Sequence, residues 1–187
     1  ERANDAAVLD LLADNSSGAD GNNFITTFRP RGESVAVVDS DVRITDVDTG
    51  AVMASARVAI TGGAWDNDFG TIYETLASTA GNSYKGSLGT ITISGNGTTA
   101  VTLSGPGTMA DYQEALKTIR YENANPNAFA GDRTITISVT DVSTSKLVTL
   151  TAPTVTIGAG MSVLLNGVDT GATVTQVIDG SHFVTSK

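Results

Sequence analysis

Residues 39–48 read DSDVRITDVD, so the carboxylates of Asp39, Asp41, Asp46 and Asp48 flank a short alternating stretch, Val42 to Thr45. Acidic groups at strand ends suit a hard cation, because Ca²⁺ takes roughly six to eight oxygens from loop carboxylates and carbonyls. In an extended chain, side chains two residues apart share a side, so Asp46 and Asp48 point the same way. Asp14, in the loop ADNSSGADGNN, and Asp141, at the end of a later strand, are the further carboxylates that strand-end loops can bring to this cluster. The candidate metal ligands are therefore Asp14, Asp39, Asp41, Asp46, Asp48 and Asp141, with calcium as the cofactor. The competing reading is solvated turn aspartates that close Asx-turns on their own backbone. Spacing alone leaves both open. Asp66, Asn67 and Asp68 form a second acidic patch, read first as a turn. The chain contains neither an EF-hand loop nor a repeated Gly-Asp nonapeptide.

Catalytic chemistry finds less to work with. His182 is the single histidine, with Ser181 beside it, and no nucleophile-elbow motif accompanies them. One histidine without cysteine or a second histidine does not make a transition-metal site. The aspartates are plentiful, yet none sits in a motif of the paired-carboxylate kind. The chain is expected not to be an enzyme. Asn15-Ser16-Ser17 and Asn96-Gly97-Thr98 fit the short N-glycosylation pattern. Trp65, Tyr112 and Tyr121 are read as core residues.

Twenty acidic residues against eleven basic ones give a net charge of −9. Such a surface repels phosphate backbones, so no nucleic acid partner is expected. No apolar run approaches the roughly 20 residues of a bilayer span. No leader is legible at Glu1, which fits a mature or excised chain. With no cysteine, the fold depends on neither disulfides nor thiolate metal sites. The 187 residues suit one domain, or one domain plus an extension. Abundant Thr and Val favour strands, and Gly, Asn and Asp favour the turns between them.

The elements that must position the aspartates follow from periodicity. Short strands are predicted at Ala7–Leu12, Phe24–Phe28 and Val35–Val38, and around Val42 and Ile44. Val52 to Ile60 alternates as a half-buried strand. Residues 61–88 read as a longer irregular loop with one strand around Thr71 to Leu76. Gly89–Ser94 and Ala100–Leu103 flank an Asn-Gly turn and predict a hairpin. Thr108 with Asp111 three residues on predicts a capped helix of about three turns. Its apolar stripe is Tyr112, Ala115, Leu116 and Ile119. Strands follow at Ile119–Tyr121, Arg133–Thr140 and Leu147–Ile157, the last carrying Pro153 as an edge or bend signal. After Gly158 the chain predicts two or three further short strands.

The stretch from Leu103 to Asp141 resembles the repeat found in tandem in large bacterial surface adhesins and haemolysin-type calcium-binding proteins, a cadherin-like or immunoglobulin-like module. The matching residues are Leu103-Ser104-Gly105, Ala110 to Gln113, Ala115, Leu116, Ile119, Tyr121, Asn123, Asp132 to Ile135, and Asp141. The opening, VLDL, then ADNSSGADGNNF, then VAVVDSDVRITDVD, is similar too, and the likeness runs from about Ala7 to Ile157. The chain departs from the family at Asp10-Leu11-Leu12-Ala13-Asp14, where one acidic position is missing. The tail after Gly158 has no counterpart in the repeat.

The resemblance implies a mostly β fold, an antiparallel Ig/cadherin-like β-sandwich with one short α-helix, on an extracellular or cell-surface protein. The sandwich with its polar N-terminal arm is expected over residues 1–157, and a C-terminal β extension, an intersubunit strand by one reading, over 158–187. Two functions stand at this point. One is a non-enzymatic structural or adhesive module, calcium-stabilised, facing sister domains and a cell-surface or matrix ligand. The other is a self-assembling subunit of an extracellular filament or sheath. Neighbouring copies would then join by β-strand addition through a terminal arm.

Overall fold

The structure is a computed structural model that describes residues 5–48, 50–63, 67–68, 71–142, 147–149, 162–165, 168–177 and 182–185, with backbone alone at 67–68 and from 147 onward. In chain order the elements are β1 (Val8–Asp10), β2 (Val35–Ala36), β3 (Arg43–Thr45), β4 (Met53–Gly63), β5 (Asn67–Asp68), β6 (Thr71–Ile72), β7 (Glu74–Ser78), β8 (Ser83–Lys85), β9 (Thr90–Ser94) and β10 (Ala100–Gly107). Then come α1 (Met109–Lys117), β11 (Ile119–Asn123), β12 (Arg133–Asp141), β13 (Leu147–Thr149), β14 (Ser162–Leu165), β15 (Val168–Val177) and β16 (His182–Thr185).

Period-two patterning builds the larger sheet. In β9, Ile91 and Ile93 are buried while Thr90, Thr92 and Ser94 face solvent. In β4, Ala56, Val58 and Ile60 are buried and Arg57 and Thr61 are exposed. These strands join an antiparallel five-stranded sheet ordered β12-β4-β10-β9-β8. Facing it is the three-stranded sheet β2-β11-β7, and β1 pairs with β3. The apolar faces meet in one core that includes Val58, Leu76, Ile91, Val101, Leu103 and Ile119. The fold is an antiparallel β-sandwich with a single helix among the described residues, as the alternating strands predict.

Helix α1 is a core element. Thr108 accepts the Asp111 N–H, and the Asp111 carboxylate accepts the Thr108 N–H, closing the capping box read from the sequence. Tyr112, Ala115 and Leu116 of the predicted stripe are fully buried on the helix, while Ile119 is buried as the first residue of β11, because the helix ends at Lys117. The Tyr112 hydroxyl donates to the Gly105 carbonyl at 2.6 Å, tying the helix to β10. Gly107 lies where a Cβ would stand 3.0 Å from the Tyr112 ring, so a side chain there would require the ring to shift.

Two expectations change. Phe24–Phe28 is not a strand, since no described strand takes up its backbone groups, and it runs as an irregular wall with Ile25 exposed. Residues 61–88 are richer in strand than predicted and hold the end of β4 together with β5 to β8. The misreading has a cause: in β7 the inward positions are Glu74, Leu76 and Ser78, and a carboxylate among them hides the period. Trp65 and Asp66 lie outside the described residues.

Strands β13 to β16 form a separate four-stranded sheet ordered β13-β16-β15-β14. The start of the expected Leu147–Ile157 strand, Leu147–Thr149, therefore pairs with His182–Val184, within the tail. The rest of that expected strand, 150–157, lies outside the described residues.

Candidate metal centre

The short strand β3 pairs antiparallel with β1, Asp10 opposite Arg43 and Val8 opposite Thr45. Val42 and Ile44 are buried, which holds the flanking residues Asp41 and Asp46 at the sandwich surface. The helix contributes the other wall: the Gln113 side-chain oxygen accepts the Ile44 N–H at 2.9 Å. Between β3 and α1 lies an open depression of about 540 Å³, lined by Asp41, Arg43, Asp46, Met109, Gln113 and Lys117, among others. Lys117 is paired with Glu114 at 2.6 Å.

The six predicted ligands separate. The Asp39 carboxylate turns onto the Ser40 N–H and hydroxyl, and the hydroxyl bond above all holds its carboxyl below the usual carboxylate range. The Asp48 carboxylate accepts the Asp5 N–H at 2.9 Å, pinning the chain's entry into the sandwich. Asp14 accepts the Ser16 N–H at 2.9 Å in an Asx-turn. Asp141 ends β12 opposite Met53 and is 9% exposed. Asp41 and Asp46 are both half-buried and line the same depression. Asp41 accepts the Asp14 N–H at 2.7 Å through Oδ2, and Asp46 accepts the Asp48 N–H at 2.7 Å through Oδ1.

Turn chemistry thus accounts for the contacts of Asp14 and Asp39, and a long-range bond from Asp5 for that of Asp48, which leaves a remainder. Asp41 Oδ1 and Asp46 Oδ2 are buried and have no hydrogen-bond partner among the described residues. A buried acceptor without a donor costs about 1–3 kcal/mol, and more when charged. These two oxygens suit a hard cation, and they set the fit for calcium that the resemblance implies. Among the described residues no three acidic or histidine side chains converge as a metal-holding group. The fit is therefore limited to single carboxylates, Asp41 and Asp46, each of which would need the rest of a coordination shell from elsewhere.

A second feature was not legible in the sequence. Glu74 is fully buried, and its carboxylate Oε1 takes hydrogen bonds from the Tyr121 hydroxyl at 3.0 Å and from Arg133 Nε. Burial first, then the negative charge of Glu74, pushes the Tyr121 hydroxyl up to about 12. Arg133 also donates to the carbonyls of Gly131 and Phe129, fixing the loop before β12. Arg120 donates to the Ser34 carbonyl and fixes the segment before β2. Arg133 and the loop it fixes line an apolar groove of about 740 Å³, bordered also by Phe24, Phe28, Tyr121, Phe129 and Ile135, among others. Phe28 meets Tyr121 edge-on at 5.3 Å. Arg133 opens the alternating strand in the sequence, but nothing local marks it as the partner of a glutamate 59 residues away.

The Asn96 sequon is built into a turn. Its amide nitrogen donates to Gly81 O and Asn82 Oδ1, both at 2.9 Å, and its oxygen accepts the Ser78 N–H at 2.7 Å. His182 falls in β16. Among the described residues no helix is long and apolar enough to cross a membrane.

Neither a family model, nor a curated protein, nor a solved structure matches the chain.

Proposed function

We propose that the chain is a non-enzymatic structural or adhesive module of a bacterial extracellular or cell-surface protein, stabilised by calcium at Asp41 and Asp46. The observation that supports the calcium reading is the pair of buried, unpartnered carboxylate oxygens, Asp41 Oδ1 and Asp46 Oδ2, in one depression between β3 and α1. A divalent cation at either oxygen would satisfy it and neutralise a half-buried charge. It would also stiffen the entry of the chain, because Asp41 holds Asp14 and Asp46 holds Asp48, which in turn holds Asp5. That coupling suits a load-bearing unit whose N-terminal arm leads to a neighbour. The sandwich with its buried helix supports the cadherin-like resemblance in fold.

The test is thermal unfolding with calcium, with magnesium and with chelator. Calcium at a hundred times its dissociation constant should add about 2.7 kcal/mol. Asp41→Asn and Asp46→Asn should each abolish the calcium-dependent gain while leaving the chelator melting temperature nearly unchanged. A wild-type melting temperature indifferent to calcium and chelator would sink the metal assignment. A gain that survives both substitutions would place the ion elsewhere.

A further inference from the structure

The basic side chains of this acidic protein are placed unevenly. Among the described residues Arg43, Arg57, Lys85, Lys117, Arg120 and Arg133 all lie in strands or in α1, where the hydrogen-bonded backbone is a poor protease substrate. Arg29 and Arg31 do not. They fall in the turn Arg29-Pro30-Arg31-Gly32, closed by the Gly32 N–H donating to the Arg29 carbonyl at 2.8 Å. Every residue from Arg29 to Glu33 is exposed, and none belongs to a helix or strand. This bow is held at both feet. Phe28 packs edge-on against Tyr121, and Arg120 donates to the Ser34 carbonyl. Arg31 itself has φ +63°, in the left-handed region, where a Cβ crowds the following carbonyl oxygen. Glycine or asparagine takes such a turn position readily, and arginine does so under strain. A protease binds its substrate extended, so a scissile residue must leave the left-handed region. For Arg31 that change relieves strain instead of adding it.

We propose that the Arg31–Gly32 bond is a processing site for a trypsin-class protease, which takes arginine into an acidic specificity pocket. Water adds across the peptide bond and leaves the Arg31 carboxylate and a Gly32 ammonium. The neighbouring Arg29–Pro30 bond is spared, because the proline ring restricts the residue before it and stands where the leaving amine must fit. The segment before the nick stays on the sandwich without a covalent link. There β1 pairs with β3, Leu12 is fully buried, and the Asp39 N–H donates to the Leu11 carbonyl at 3.0 Å. The product is a two-piece sandwich whose first strand is held by contacts alone. This goes beyond the module reading and does not depend on calcium.

The full chain should be treated briefly with dilute trypsin, the cut sites timed by mass spectrometry and the product run on gel filtration with and without urea. Cleavage at Arg31–Gly32 should be at least about tenfold faster than after Arg43, Arg57, Arg120 or Arg133, because those bonds open only when their strands do. The two pieces should elute together in buffer and separate in urea. Arg31→Asn puts a residue that tolerates the left-handed region in the turn, so it should keep the fold and abolish the cut. An Arg31–Gly32 bond cut no faster than the bonds in the strands overturns the proposal. Separation of the pieces in buffer overturns the two-piece product. The rates on the unmodified chain decide the matter even where Arg31→Asn fails to fold.

Discussion

Replacing Glu74 by Leu removes the carboxylate paired with the Arg133 guanidinium, whose side chain is 11% exposed against 1% for Glu74. Taking one partner from a buried ion pair costs about 3–5 kcal/mol, because the remaining charge stays desolvated. Arg133→Leu leaves the carboxylate with the Tyr121 hydroxyl alone on Oε1 and should cost a similar amount. If the two residues acted independently, the double substitution would cost about 6–10 kcal/mol. With both charges gone, the residual loss is the Tyr121 hydroxyl without its acceptor, about 1–3 kcal/mol. To that is added the loop carbonyls of Gly131 and Phe129, released to solvent. The double variant should therefore recover at least about 3 kcal/mol relative to the sum of the singles. Each single should lower the melting temperature by roughly 6–20 °C for a chain of this size. Urea unfolding followed by far-ultraviolet circular dichroism on the three variants measures the cycle. Additivity within about 0.5 kcal/mol would refute the coupled-pair reasoning.

At alkaline pH, Tyr121 governs a second outcome. Its folded hydroxyl, pushed up to about 12, lies above the ordinary unfolded value of about 10. Its neutral form therefore contributes stability that is complete below about pH 10 and is lost as pH rises through the folded value. Melting temperature should fall across that window, and Tyr121→Phe should flatten the fall. At acid pH the sign reverses for Asp111. Burial would raise its carboxyl, but hydrogen bonds from Ser87 and Thr108 outweigh it and hold it below the usual range. Its contribution is present above about pH 3.9 and is lost as pH falls through the depressed folded value. Thr108→Ala should cost about 1 kcal/mol by opening the cap, measured in urea at neutral pH. Gly95→Ala should cost more than about 1 kcal/mol, because Gly95 has φ +85° and an added Cβ would stand 2.2 Å from the Ala100 carbonyl oxygen. An unchanged unfolding midpoint would contradict the hairpin geometry.

The parts of this protein legible in its sequence are those whose signal is local. Thr108 and Asp111 are three residues apart and cap each other, so the helix start could be read directly. Ile91 with Ile93, and Ile135 with Ile137, repeat every second residue, so β9 and β12 could be read as strands. Phe24–Phe28 has the composition of a strand, but a strand needs a neighbour to take its backbone groups, and no described strand pairs with it. Among the candidate ligands, Asp46 bonding Asp48 is a two-residue event visible as a turn pattern. Asp41 reaching the Asp14 backbone spans 27 residues and depends on how β1 and β3 meet.

Sequence alone determined the β class, the helix and its buried stripe, the acidic surface and the two acidic flanks of β3. These rest on side-chain period, capping and charge, which act within a few residues. Tertiary structure decided which aspartates keep an unsatisfied oxygen and that Glu74 is buried against Arg133. Those facts arise from burial and from hydrogen bonds between distant segments, and neither exists until the sheets have packed.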